Sequence, residues 1–157
     1  MTSDREHVHL TDLFRHVQSE KFPVDVHSPG KARRLVRRFC EAIGQPSDTA
    51  ELLISELVTN AITHAKSPCQ VTCVAPWDSP AWFEVKDESP QLPALREVDL
   101  GAAGGRGLLL MDALAEHWHV EEDSLHRKKI VCFSPKGEGH DTRSAQQAGV
   151  TVAAAAP

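Results

Sequence analysis

"ISELVTNAITHA", Ile54 to Ala65, is the stretch on which the reading of this chain turns. It lies inside "QPSDTAELLISELVTNAITHAKSP", where Ser47 or Asp48 can cap a helix and Pro68 follows its end. Leu53, Leu57, Ala61 and Ala65, or Ile54, Val58 and Ile62, recur at helical spacing and predict a packing stripe. Glu56, Asn60 and His64 fall at i, i+4 and i+8, so they share a neighbouring edge of that helix. A carboxylate, an amide and an imidazole in one row on so apolar a helix have two readings. They are an ordinary solvated edge, or they are the floor of a site.

Working outward, "SPGKARRLVRRFCEAIG" predicts an earlier helix, with a Ser28 cap, Pro29 in its first turn and Gly44 as its stop. Ala32, Leu35, Val36, Phe39 and Ile43 form its apolar stripe, and Arg33, Arg34, Arg37 and Arg38 lie largely off it. "KFPVDVH" before it alternates as a strand, with Pro23 placing it near a sheet edge or a strand start. Residues 1–20 are polar, with weak helical spacing at Leu10, Leu13, Phe14 and Val17, and read as an arm or short helix.

Downstream, "CQVTCVAP" and "AWFEVKDE" read as a hairpin around "WDSP". "SPQLPALREVDLGAAGG" is too irregular for a regular element and reads as a mobile loop. "RGLLLMDALAEHW" predicts a third helix, and "HVEEDS" and "KKIVCFSP" a last pair of strands. The chain divides into an arm over 1–20, a domain over 21–135 and a disordered tail over 136–157. Helices in a group and strands in hairpins predict an α+β fold. The expected form is a two-layer α/β sandwich, its sheet mixed and mostly antiparallel, with three main helices on one face.

Composition bounds the function. The chain has 157 residues, 41% of them hydrophobic, enough for one domain with its own core. Aromatic residues make up 5%, with no tyrosine, and the net charge is −5. Both argue against a general nucleic-acid binder, which needs a basic surface and stacking platforms. Cys40, Cys69, Cys73 and Cys132 form no CxxC pair and read as buried free thiols of a reducing compartment. Nine histidines and four cysteines show no metal-ligand spacing, which speaks against a zinc protein. No signal-peptide core and no run near the roughly 18 apolar residues of a membrane span is evident. The expectation is a soluble, cytoplasmic protein with no membrane and no direct nucleic-acid partner.

Two further pieces give the site reading its chemistry. "GAAGGRGLLL" places Gly101, Gly104, Gly105 and Gly107 directly before a helix. Glycines admit a close backbone approach to phosphate oxygens, and a helix N-terminus offers free N–H groups and positive potential. Arg106 adds a cation able to clamp phosphate. The alternative is a flexible loop with a glycine-rich cap; neither a P-loop nor GxGxxG occurs. In "VKDESP", Asp87 ends a strand, where its carboxylate could accept a hydrogen bond from an exocyclic amine such as that of adenine. An asparagine oxygen suits Mg²⁺, and a carboxylate one turn earlier can take a proton from a hydroxyl nucleophile. That combination fits phosphoryl transfer.

Together, in this order, "ELVTNAITHA", "VKDESP" and "GGRGLLLMDALAEHW" resemble the N-box, the adenine-binding strand end and the glycine box of the Bergerat-fold (GHKL) ATP-binding family of histidine kinases and gyrases. The resemblance runs from about Phe22 to Phe133 and is closer to the small anti-sigma-factor serine kinases of the RsbW and SpoIIAB type, closest to their short actinobacterial forms. It implies ATP and Mg²⁺ as ligands, Glu56 as general base, Asn60 as the Mg²⁺ ligand and Asp87 as the adenine contact. It further implies that Gly105, Arg106, Gly107 and Leu108 meet the phosphates, and that Thr63 and His64 lie near the nucleotide. Arg34 falls near the family position that meets the partner protein. The implied activity is serine/threonine phosphorylation of an anti-sigma-factor antagonist, with a sigma factor as the other partner. Where many members carry Asp-x-Gly-x-Gly, this chain has Asp87-Glu88-Ser89-Pro90-Gln91 and a short lid. Ser89 and Pro90 are stiffer and bulkier, which sustains an alternative: a non-catalytic module of the same fold acting by protein contact. The basic first helix offers a surface for a partner or a second copy of the chain, or is simply a solvated face.

Overall fold

The computed structural model describes residues 13–88, 106–123, 125 and 128–137. Its elements are β1 (Phe14–Phe22), α1 (Ser28–Ile43), α2 (Asp48–Asn60) running into a π-helical turn (Ala61–Ala65), β2 (Cys69–Pro76), β3 (Trp82–Asp87), α3 (Arg106–Leu114), β4 (Ala115–Asp123) and β5 (Lys128–Pro135). The strands form one sheet in the order β1-β2-β3-β5-β4, and every neighbouring pair is antiparallel. The α+β sandwich is therefore as expected, with the sheet antiparallel throughout the described residues rather than mixed.

Strand alternation decides which side chains enter the core. Phe22 of β1, Val71 and Cys73 of β2, Phe83 and Val85 of β3, and Val131 and Phe133 of β5 all join one cluster. Against that face pack Leu35, Val36 and Phe39 of α1, Leu53, Ile54, Leu57 and Val58 of α2, and Met111 of α3. Phe39, Phe83 and Phe133 run through the cluster as an aromatic ladder with centroids 5.8 and 5.4 Å apart. The four cysteines are free and buried, as expected. Burial pushes their thiols up to about 11 for Cys40 and Cys69 and about 12 for Cys73 and Cys132.

The two long helices are joined by an ion pair between an exposed arginine and a buried glutamate. Arg37 donates from Nε and Nη2 to the two carboxylate oxygens of Glu51, at 3.0 and 2.7 Å, and Ser47 Oγ donates to the same carboxylate at 2.6 Å. Arg37, then burial acting against it, then Ser47 set the Glu51 acidity, and the net direction is down. Gly44 ends α1 in the left-handed region at φ 71°, where glycine carries no Cβ penalty.

Three local expectations shift. The strand expected over "KFPVDVH" lies instead at Phe14–Phe22, so ordered structure starts before residue 21 and takes in part of the expected arm. An edge strand has one neighbour and two largely wet faces, so it needs backbone pairing with β2 and little apolar alternation. Ser28 does not cap α1; its buried hydroxyl donates to the Pro23 carbonyl at 2.7 Å, and His27 holds the cap position. The third helix ends at Leu114, not at Trp118, because Ala115 enters the ladder with β5. The freed carbonyls of Leu114 and Ala113 accept from the Lys136 N–H and Nζ at 2.9 and 2.8 Å. The expected mobile loop after Pro90 and the remainder of the expected tail lie outside the described residues. Among the described residues, no helix is long and apolar enough to cross a membrane.

Candidate functional site

The packing stripe of α2 is the one expected: Leu53, Ile54, Leu57, Val58 and Ala61 are buried. Glu56 and Asn60 are half-buried beside it, and neither makes a side-chain hydrogen bond or ion pair among the described residues. The helix then changes to the wider i→i+5 pattern over Ala61–Ala65, a form that favours functional positions. The four-residue row therefore keeps its register only to Asn60, and His64 is exposed on the π turn. Thr63 is also exposed and donates back to the Thr59 carbonyl at 2.7 Å. Lys66 closes the turn in the left-handed region at φ 49°.

The first turn of α3 meets this helix at Asn60. Gly107 is buried, and a Cβ placed on it would stand 3.0 Å from Asn60 Nδ2. Any side chain here would force the Asn60 carboxamide to give way by a few tenths of an ångström, so glycine suits this close approach. The first N–H groups of α3 have no partner within the helix, so its start is an electropositive donor edge beside a half-buried amide. Arg106 is the first residue of α3 and Leu108 the third; their side chains, and Gly105 altogether, lie outside the described residues.

Asp87 ends β3 with its side chain 4% exposed. Lys129, its register partner on β5, places Nζ 3.1 Å from Asp87 Oδ2 and compensates the buried charge. A carboxylate has acceptor sites for more than one donor, so this pair does not use up its capacity. Ser67, buried just past the π turn, accepts from the Glu88 N–H at 2.9 Å and donates to the Pro68 carbonyl at 2.8 Å. It ties the end of the α2 unit to the end of β3. Neither Lys129 nor Ser67 stood out in the sequence. Lys129 is visible only through the β3–β5 register, and Ser67 only as a polar residue wedged before Pro68.

The structure thus brings Asn60 to Gly107, with Glu56 one turn back, and links the Asp87 strand end to the same helix through Ser67. Arg34 is exposed on the solvent side of α1 with Arg33, Arg37 and Arg38, as the stripe predicted. The sequence profile of the histidine kinase-like ATPase domain matches residues 22–134, most of the chain and every site residue just named. No curated protein matches the sequence.

Proposed function

The chain belongs to the histidine kinase-like ATPase domain family, and on that premise we propose that it binds ATP with Mg²⁺ and phosphorylates a serine or threonine of an anti-sigma-factor antagonist. In the same reading it holds a sigma factor in the cytoplasm when the antagonist is absent. The observation that carries this is the approach of Gly107 to Asn60. A cradle that a Cβ would fill, an amide with no other partner among the described residues and the free N–H groups of a helix start together suit a metal-bound polyphosphate.

Bound Mg-ATP supplies the phosphoryl group and offsets its charge, so the protein's share is positioning. Asn60 offers its carboxamide oxygen to the metal. The α3 amides, with Gly105, Gly107 and Leu108 in the turn and Arg106 as the cation, receive phosphate oxygens. Glu56 accepts the proton of the partner's hydroxyl, and half-burial keeps it in reach of a docked chain. Asp87 accepts from the adenine amine while Lys129 balances its charge. Thr63 and His64 line the approach, and Arg34 on the basic face of α1 receives the protein partner.

A second reading is favoured by the segment that follows Asp87, which reads Glu88-Ser89-Pro90-Gln91. With Ser89 and Pro90 replacing glycines, this supports a module that acts by protein contact without transfer. Calorimetric titration of ATP and Mg²⁺ into wild type and Asn60→Ala separates the two. Binding lost in the variant, with transfer of labelled phosphate to an antagonist that Glu56→Ala abolishes, supports the kinase. No heat in wild type overturns it in favour of the contact module.

A further inference from the structure

On the face of the sheet turned away from the helices, three metal-ligating side chains from two strands converge. Val131 and Phe133 enter the core, so Cys132 between them points to the opposite face. His119 of β4 is its direct cross-strand partner, and Glu121 follows two residues on, on the same face. One ligand atom from each of His119, Glu121 and Cys132 lies within 4.8 Å of the others, a grouping unmatched among the described residues. His119 Nε2 and Glu121 Oε1 are 2.9 Å apart.

We propose that His119, Glu121 and Cys132 bind a zinc-class divalent cation that fastens the edge strand β4 to β5. The donor set is one imidazole nitrogen, one sulfur and one carboxylate oxygen. Zinc accepts this mixture, with water in the fourth position, whereas Mg²⁺ and Ca²⁺ demand oxygen. Zinc–ligand bonds of about 2.0–2.3 Å set tetrahedral ligand atoms about 3.3–3.7 Å apart. From the present arrangement the His–Glu pair opens slightly and the most distant atoms draw in by at most about 1 Å. His119 and Glu121 can make that adjustment, being 59% and 47% exposed, and the buried Cys132 serves as the fixed point.

Burial, with Glu84 and Glu121 nearby, keeps the Cys132 thiol protonated without metal. On binding, the S–H bond breaks, the proton goes to the buffer and sulfur bonds the metal. Glu84 faces Cys132 from β3 but is engaged by Trp82 Nε1 at 2.9 Å, so it adds negative potential rather than a ligand. No sequence spacing announces the site, because antiparallel register and not chain proximity assembles it. It is independent of the nucleotide reading.

The test uses the full chain purified without a histidine tag. Zinc is titrated by calorimetry, and Co²⁺ by absorption, where thiolate coordination gives a near-ultraviolet charge-transfer band. Wild type should take up one zinc and show the band, and its melting temperature should rise with zinc. Cys132→Ser should lose the band and bind zinc about 100-fold more weakly, as loss of a direct ligand costs at least as much as loss of an outer-shell partner. His119→Ala changes an exposed residue and leaves the fold intact; it should keep a thiolate band while weakening binding about tenfold or more. It decides the matter alone if Cys132→Ser fails to fold. Absence of the band in wild type, or zinc binding to His119→Ala at wild-type strength, overturns the proposal and assigns any bound zinc to other histidines.

Discussion

Gly107→Ala tests the meeting of α2 and α3 more sharply than removal of any polar group. The added Cβ would lie 3.0 Å from Asn60 Nδ2, well inside an ordinary carbon–nitrogen contact. Relief takes a shift of a few tenths of an ångström, and the atom that must give is the end of the Asn60 side chain. Holding that side chain off its preferred rotamer costs on the order of 0.5–1.5 kcal/mol. Alanine in place of glycine inside a helix returns about 0.5–1 kcal/mol. The two nearly cancel, so stability changes by less than about 1 kcal/mol, or about 2–4 °C in melting temperature for a domain of this size. Binding has no such compensation. The carboxamide leaves its place and a methyl group enters the cradle, and ATP–Mg²⁺ affinity should fall about 10- to 100-fold, or about 1.4–2.8 kcal/mol. A thermal melt and a calorimetric titration on the same preparation read both quantities. Wild-type affinity in a variant that melts like wild type would refute the placement of phosphate and metal between Asn60 and Gly107.

Two further outcomes follow from the ion pairs. Lys129→Ala leaves the Asp87 carboxylate buried and without the Lys129 partner; because Lys129 itself reaches solvent, the cost should be about 1–3 kcal/mol, below that of a fully buried pair. Urea denaturation reads it, and an unchanged midpoint would mean that water already serves the carboxylate. Glu51, held below its ordinary 4.5 chiefly by Arg37, contributes stability that is present above its unfolded-state value and lost as pH falls through the lower folded one. Urea midpoints from neutral pH down to the carboxylate range should therefore fall more steeply for wild type than for Glu51→Gln, and parallel acid limbs would exclude the pair as a source of acid sensitivity.

Much of the fold was legible because it rests on local periodicity. The stripes of α1 and α2, the stop at Gly44, the β2–β3 hairpin and the free buried cysteines all follow from spacing and residue type, which act over a few residues. The choice of Glu56, Asn60, Asp87 and the glycine run as the groups to follow rested instead on three motifs standing in the order of a family they resemble. What sequence reading misplaced lay where pairing overrides propensity. β1 carries weak helical spacing and little alternation, yet it is a strand because β2 offers it an unpaired edge. Ala115 leaves the helix because β5 takes it into the ladder.

The sequence by itself determined an α+β chain with an apolar helix bearing Glu56 and Asn60, since helical repeat and hydrophobic burial need no distant partner to be read. Only the tertiary structure decided that Gly107 comes within a methyl group's reach of Asn60, that Lys129 answers Asp87 and that Ser67 joins α2 to β3. It alone set His119 opposite Cys132. Each of these joins residues far apart in the chain, and sheet register and helix packing, the consequence of one shared core, fix such distances where sequence spacing does not.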